Sequence, residues 1–185
     1  MTKLLVTLIL TFLFAGNIYS QDSSKSNEIG VYFTSTNKFG LRFKFGSEKM
    51  MFRITALSLN YKTAKSEDQE DFLDSKHTGF GLGFGLEVPL SITKHFDFLY
   101  GGELMLEYSY SESHSSEYHY KSKYYEVSAG VILGFAYKIN QDFVVSAELI
   151  PKFYHEYGES SYSNSKSYGF RLDTKSAGIT IAYRF

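Results

Sequence analysis

The sequence predicts an all-β chain: eight antiparallel strands closed into an up-and-down transmembrane barrel. Three observations predict it. Apolar and polar residues alternate with period two over stretches of about ten residues. One face of each stretch is rich in Phe, Tyr and Leu, while the other mixes glycine, serine and charge. The links between stretches alternate short and long. No segment beyond the first twenty residues approaches the ~20 apolar residues of a membrane helix. A chain of this kind enters lipid as strands.

The first element, residues 1–20, reads as a secretory signal peptide. Lys3 supplies the positive end, Leu4–Phe14 the apolar run, and Ser20 the small residue before a cut at Gln21. Residues 21–185 then form one barrel domain. Strands are expected at about 28–34, 38–46, 50–62, 77–90, 96–111, 121–138, 142–158 and 167–185. The fourth is the clearest: Phe80, Leu82, Phe84, Leu86, Val88 and Leu90 share a face, and glycines, Glu87 and Pro89 the other. In the fifth, Tyr100, Leu104, Leu106 and Tyr108 oppose Leu99, Glu103, Met105 and Glu107. In the sixth, Val127, Val131, Leu133 and Phe135 oppose Glu126, Ser128 and Gly130. In the eighth, Ala177, Ile179, Ile181, Tyr183 and Phe185 oppose Gly178, Thr180, Ala182 and Arg184. Strand three changes parity after Ile54, which predicts a bulge near Thr55–Ala56. Phe170 and Leu172 are out of phase with Ile179, so strand eight carries another irregularity.

Short links fall at Gly46–Lys49, Ser91–His95 and Ile139–Gln141. Long polar links fall at Thr63–Lys76, Glu112–Tyr120 and Glu159–Lys166, with Ser35–Asn37 a short exception on the long side. One rim is therefore trimmed and the other elaborated, with both chain ends on the trimmed rim. A two-sheet sandwich also alternates, but it hides its aliphatic faces and exposes its charged ones. Faces built of glycine and charge suit the inside of a narrow cylinder, and closure leaves no backbone group unpaired in lipid.

Composition removes several classes of function. The chain has no cysteine and a formal charge of −1, so neither a disulfide framework nor a basic nucleic-acid surface is available. There is no G-x-S-x-G, no H-E-x-x-H and no phosphate loop; the glycines of "GFGLGFG" recur at strand period. No cofactor is expected. Glu112, His114, Glu117 and His119 form a His/Glu cluster whose spacing matches no metal motif, and it reads as a solvated loop.

The inward faces carry the candidate functional residues. Arg42, Lys44, Arg53, Lys138, Lys152 and Arg184 are the positive set; Glu87, Glu103, Glu107, Glu126, Glu148 and Glu156 the negative. Charges in a narrow lumen must pair or be wet, and Glu103 and Glu107 are expected to draw on Arg42, Lys44 and Arg53. An eight-stranded interior is nearly filled by side chains, which predicts a salt-bridged plug.

The signal segment, the alternating strands and the stretch "ITIAYRF" resemble the small eight-stranded outer-membrane barrels of Gram-negative bacteria, in particular the outer-membrane β-barrel domain family common in Bacteroidetes. The resemblance implies export to the outer membrane, contact with its lipid, and insertion by the barrel-assembly machinery, with Tyr183 and Phe185 as the aromatic assembly signal at the end of the last strand. The expected role is that of a monomeric, non-enzymatic barrel with a structural or surface-interaction function and a surface ligand at the long loops. Two alternatives stand beside it. One is a narrow porin-like path. The other is a lipid-modifying enzyme, which would need a serine and an acid beside a lipid-facing histidine such as His155.

Overall fold

The computed structural model describes residues 25–35, 38–65, 74–114, 119–161, 163–173 and 176–185. The signal segment and the centre of the His/Glu cluster lie outside them. The strands are β1 (Lys25–Ser35), β2 (Lys38–Ser47), β3 (Met50–Lys65), β4 (Asp74–Ser91), β5 (Phe96–His114), β6 (His119–Lys138), β7 (Phe143–Leu149), β8 (Lys152–Ser160), β9 (Asn164–Arg171) and β10 (Ala177–Arg184). All the pairings are antiparallel, and β1 pairs β10, so the sheet closes. Strands β7 and β8 form one stave, paired to β6 in a single register and interrupted at Pro151, which has no N–H to give. Strands β9 and β10 form the eighth stave.

The break in that last stave is a true insertion. Arg171 lies opposite Lys152 and Ala177 opposite Leu149, so the eighth stave advances six residues while its neighbour advances three. An odd excess reverses parity, which is why Phe170 and Ile179 both point outward. The bulge expected at Thr55–Ala56 is not there. The β2–β3 register runs unbroken, and the irregularity of β3 lies between Leu59 and Lys62 in its pairing with β4. The parity change had another cause: Leu57 is an apolar residue turned into the lumen, on the same face as Arg53 and Thr55.

Register sets the barrel's geometry. Hydrogen-bonded rungs lead from Phe33 through Phe39, Ser58, Phe80, Tyr108, Tyr125 and Tyr157 to Lys166. The direct partner of Phe33 on the eighth stave is Ile179. Of the thirteen-residue offset from Lys166 to Ile179, three belong to the insertion, leaving a shear of ten. Eight strands with that shear tilt by about 40°, with ~3.3 Å per residue and ~4.8 Å between strands.

The outer surface is a lipid-facing belt. Aliphatic side chains such as Leu41, Leu82, Leu104 and Ile181 stand exposed on it, and aromatic rings collect at its margins. Phe80, Tyr108 and Tyr125 lie in a row with ring centroids 5.7 and 5.1 Å apart. At the opposite margin Phe45 stacks on Phe52, Phe96 on Phe135 and Tyr183 on Phe185. From Tyr108 down to Phe98 on β5 is ten residues, about 25 Å of height at a 40° tilt, the thickness of an outer-membrane apolar band.

The two rims differ as the link lengths imply. The turns after β2, β4 and β6 are short and lie with Lys25 and Phe185, which bonds Asn27 through both backbone groups. In the turn after β6, Asn140 Oδ1 accepts from the amides of Asp142 and Phe143, both at 2.8 Å. Gly46 adopts a φ of 149° beside the first of these turns, a conformation that favours glycine. On the other rim strand pairing continues into the expected long loops. Pairing between β5 and β6 continues to His114 and His119, and β8–β9 pairing to Glu159 and Asn164. Tyrosine-rich sequence favours extended backbone even without an apolar face. The β1–β2 hairpin stops short of this height. Among the described residues, β9 pairs only β8 and Lys62–Lys65 of β3 pairs only β4. The described residues of the elaborated rim therefore form a cup with a gap above that hairpin.

Inside, Tyr32 lies flat against the wall at Gly178, where an added Cβ would fall on its ring. The Arg42 guanidinium sits over the other part of that ring, 3.8 Å from its centroid. Gly178→Ala should therefore lower barrel stability by about 1–3 kcal/mol, the usual range for overpacking. Tyr32→Ala in the same chain should recover much of that loss. Urea unfolding followed by far-UV circular dichroism checks both, and an equal loss in the two backgrounds would show that Gly178 does not answer to the ring.

Candidate functional site

The lumen is the place where this chain concentrates chemistry, and alternation puts it there. Every second residue of each stave points inward, so Arg42 and Lys44 of β2, Arg53 and Thr55 of β3, Glu87 of β4, Glu103 of β5, Glu148 of β7 and Thr180 of β10 face one axis. Arg42, Arg53, Glu87 and Thr55 are among the largest side chains with almost no exposure.

These residues form one continuous charge network. Arg42 Nη1 donates to Glu148 Oε1 at 2.7 Å and to Thr180 Oγ1 at 2.9 Å, while its Nε donates to Thr55 Oγ1 at 3.1 Å. Arg53 Nη1 donates to the other Glu148 oxygen at 2.8 Å and to Glu87 Oε2 at 3.2 Å. Arg53 Nε donates to Glu103 Oε2 at 2.8 Å. Lys44 Nζ donates to Glu87 Oε1 at 2.7 Å. Arg42, Lys44 and Arg53 thus face Glu87, Glu103 and Glu148, three charges of each sign. Strands β3 and β7 stand four staves apart in a ring of eight, so Arg53 and Glu148 meet across the full diameter.

Beneath the network the interior turns apolar. Leu99, Ala136 and Val144 pack together, with Ile132 and Met51 also buried. Two ion pairs flank this layer, Arg184 with Glu28 at 2.6 Å and Lys138 with Asp97 at 2.7 Å. Above the network, Tyr32, Leu57 and Met105 form a small apolar cluster. Over it the lumen widens into a cavity of about 350 Å³. Lys152 Nζ lies 3.1 Å from both Glu107 and Glu126. Arg171 Nη1 donates to both oxygens of Glu126, at 3.0 and 2.9 Å, and its guanidinium covers the Tyr154 ring at 4.2 Å.

The sequence-derived residues thus fall into three groups. Arg42, Lys44, Arg53, Glu87, Glu103 and Glu148 are drawn together at the centre. Glu107, Glu126, Lys152 and Glu156 lie around the upper cavity, and Arg184 with Lys138 near the lower rim. The expected partners of Glu107 were wrong: it pairs Lys152, while Glu103 takes Arg53. Tyr183 and Phe185 are exposed in the lower girdle. Of the His/Glu cluster, Glu117 lies outside the described residues and nothing is described of the His114 and His119 side chains. Among the described residues no group of three or more His, Asp or Glu has metal-holding geometry. His155 is exposed, with Val127 and Tyr168 as cross-strand neighbours.

Sequence reasoning missed Glu28, Asp97, Thr55, Thr180 and Arg171. Glu28 shares parity with Gly30 and Tyr32, which was a usable signal. Arg171 had none, because the insertion after it reverses its phase relative to Ile179.

Neither a family model nor a curated protein sequence matches the chain. Solved structures do. A major outer membrane protein from Thermus thermophilus superposes with a TM-score of 0.57 at 9 % identity, covering 88 % of this chain and 100 % of its own. The fold is shared: this chain is an eight-stranded barrel of the outer-membrane type. The attachment invasion locus protein Ail of Yersinia pestis aligns at a TM-score of 0.46 and 13 % identity, over 89 % of this chain and 100 % of its own. Neisserial surface protein A aligns at 0.41 and 12 %, over 89 % and 96 %.

Removing one member of a buried ion network leaves its partners uncompensated. Glu148→Gln strands both Arg42 and Arg53 and should destabilise the barrel by about 3–5 kcal/mol. Glu107→Gln should lower stability by about 1 kcal/mol or less, because Lys152 keeps Glu126 and the site is part-exposed. Urea midpoints of the two refolded variants check the difference, and equal midpoints would contradict it.

Proposed function

We propose that the protein is an integral outer-membrane barrel, closed to solute flow, that works as a membrane-anchored interaction protein. The observation that carries this reading is the contact of Arg53 with Glu148 across the diameter of the lumen. A conducting path needs a continuous column of water. Here the axis at mid-height is occupied by three guanidinium or ammonium groups and three carboxylates bonded to one another. An apolar layer of Leu99, Ala136 and Val144 lies beneath them.

The outward belt of aliphatic residues between aromatic margins supports the membrane location, and the fold shared with the Thermus protein supports the outer membrane in particular. Contact with outer-membrane lipid follows from that belt. The Bacteroidetes-type assignment belongs to the same proposal and rests on the alternating strands and the "ITIAYRF" stretch. Within it, Tyr183 and Phe185 are the aromatics offered to the assembly machinery. What the barrel presents to the outside is the cup built from the upper parts of β3 to β6, β8 and β9. A rigid barrel carrying a polar cup suits binding at the cell surface, and no catalytic step is part of the reading.

Bilayer recording tests the closed lumen. The refolded wild-type chain should give no steady conductance. Arg53→Ser combined with Glu148→Ser removes the diametric contact and should raise the frequency of small openings at least tenfold. Steady wild-type conductance would replace this reading with the narrow solute path.

A further inference from the structure

The cavity above the network has a composition that selects a ligand. Its volume of about 350 Å³ lies within the range of small-molecule sites. Register sets Glu107, Glu126 and Glu156 side by side on adjacent strands, because Glu107 lies opposite Glu126 and Glu126 opposite Glu156. Like charges directly opposite repel, so this row needs counter-charges. Lys152 and Arg171 supply two, held by Glu107 and Glu126. Glu156 lines the cavity and has no hydrogen bond or ion pair among the described residues. Glu103, lower down, is taken by Arg53. With His77 as the remaining basic side chain on the wall, the cavity therefore carries one carboxylate in excess of its lysine and arginine.

A second observation is independent of charge. Ser128 lines the same cavity at 3 % exposure, and its hydroxyl has no hydrogen-bond partner among the described residues. Thr34, on β1, also lines the cavity with a buried hydroxyl that has none. Buried polar groups are normally paired, and an exception calls for an explanation. Each hydroxyl can accept a hydrogen bond from a donor or give one to an acceptor. Between these groups the wall is apolar, formed by Leu57, Met105 and Ile150.

We propose that this cavity binds a small monovalent organic amine. Its ammonium group pairs with Glu156, a polar group along its stem meets Ser128 and Thr34, and its methylenes lie on Leu57, Met105 and Ile150. An anion is disfavoured because both cations are already engaged. The inference rests on the reading of the lumen as closed below the cavity.

The test is calorimetric titration of the refolded barrel in detergent micelles with 4-aminobutan-1-ol. Butane-1,4-diol serves as the neutral analogue and 4-hydroxybutyrate as the anionic one. The amine should bind at one site, with both analogues at least tenfold weaker. Glu156→Gln should weaken the amine at least tenfold and Ser128→Ala about three- to tenfold. Glu48→Gln, at the opposite rim, should leave binding unchanged, and every variant must keep the wild-type circular dichroism spectrum. Equal binding of the diol, an unchanged affinity in Glu156→Gln, or no binding of the amine would overturn the site. Bilayer recording of the same preparation separates the two readings. Steady conductance with intact amine binding would defeat the closed lumen alone, and a silent barrel that binds no amine would defeat the site alone.

Discussion

Charges taken out of water must meet their counter-charges, and in this molecule everything else is arranged around that requirement. Moving an isolated ion into a low-dielectric interior costs several kcal/mol even after relaxation. Here three cations and three carboxylates sit inside a cylinder of only eight strands spaced ~5 Å apart. Glu148 binds both Arg42 and Arg53, and Arg53 in turn binds Glu87 and Glu103. The network closes only if β2, β3, β4, β5 and β7 are in register. A slip of one residue on any of them would send its charges to the lipid face and its Phe and Leu residues inward. Arginine on the lipid face of a barrel costs about 2–4 kcal/mol at mid-depth. The network is thus a device for uniqueness more than for raw stability. Well-packed apolar residues often fill such a core as stably, but they would not forbid the slipped register.

The room for these side chains comes from the neighbouring wall. Gly81, Gly83 and Gly85 of β4 face inward opposite Glu107, Met105 and Glu103. An added Cβ at Gly85 would press on the Arg53 side chain and on the carbonyl of Gly102. The run that looked like a glycine-rich motif is therefore a recess in the wall that lets an arginine lie across the axis. Tyr32 uses Gly178 in the same way on the far side. Large residues on one stave are matched by absent side chains on the next, which is how an eight-stranded interior is filled without strain.

Much of this was legible in the sequence because the membrane imposes a strict code. A strand that crosses lipid must show an apolar face, so period two marked the staves, and parity alone assigned Arg42, Lys44, Arg53, Glu87, Glu103 and Glu148 to the inside. Where lipid stops, the code stops. The upper extensions of β5 and β6 lack a continuous apolar face, so Ser, Tyr and Lys there looked like loop. Leu57 and Met105 broke the code from within, being apolar residues inside a polar lumen. Arg171 was hidden by the insertion between β9 and β10. Partner choice was hidden for another reason. Which glutamate meets which arginine depends on the shear and on the diameter, and both are properties of the closed ring. Parity says that a side chain points inward; it does not say how far round the circle it reaches.

The same residue type does different work at two heights, and the difference is whether its charge is consumed. At mid-height every carboxylate is held by at least one guanidinium or ammonium group, and Glu148, with no exposed side-chain surface, is held by two. No carboxylate is left there to recruit a cation. About two turns of the pleat above, the strands no longer close completely, because the β1–β2 hairpin has ended. The arginine and lysine side chains then belong to β8 and β9, and among the described residues Glu156 is left without a partner. The termination of one short hairpin thus marks the change from a region of paired charges to the wider cavity above it. A chain that had lengthened β1 and β2 to match β5 and β6 would have closed the wall at this height too. By leaving them short, this barrel keeps its neutral, interlocked layer at mid-height and places its unspent charge near the open end of the lumen.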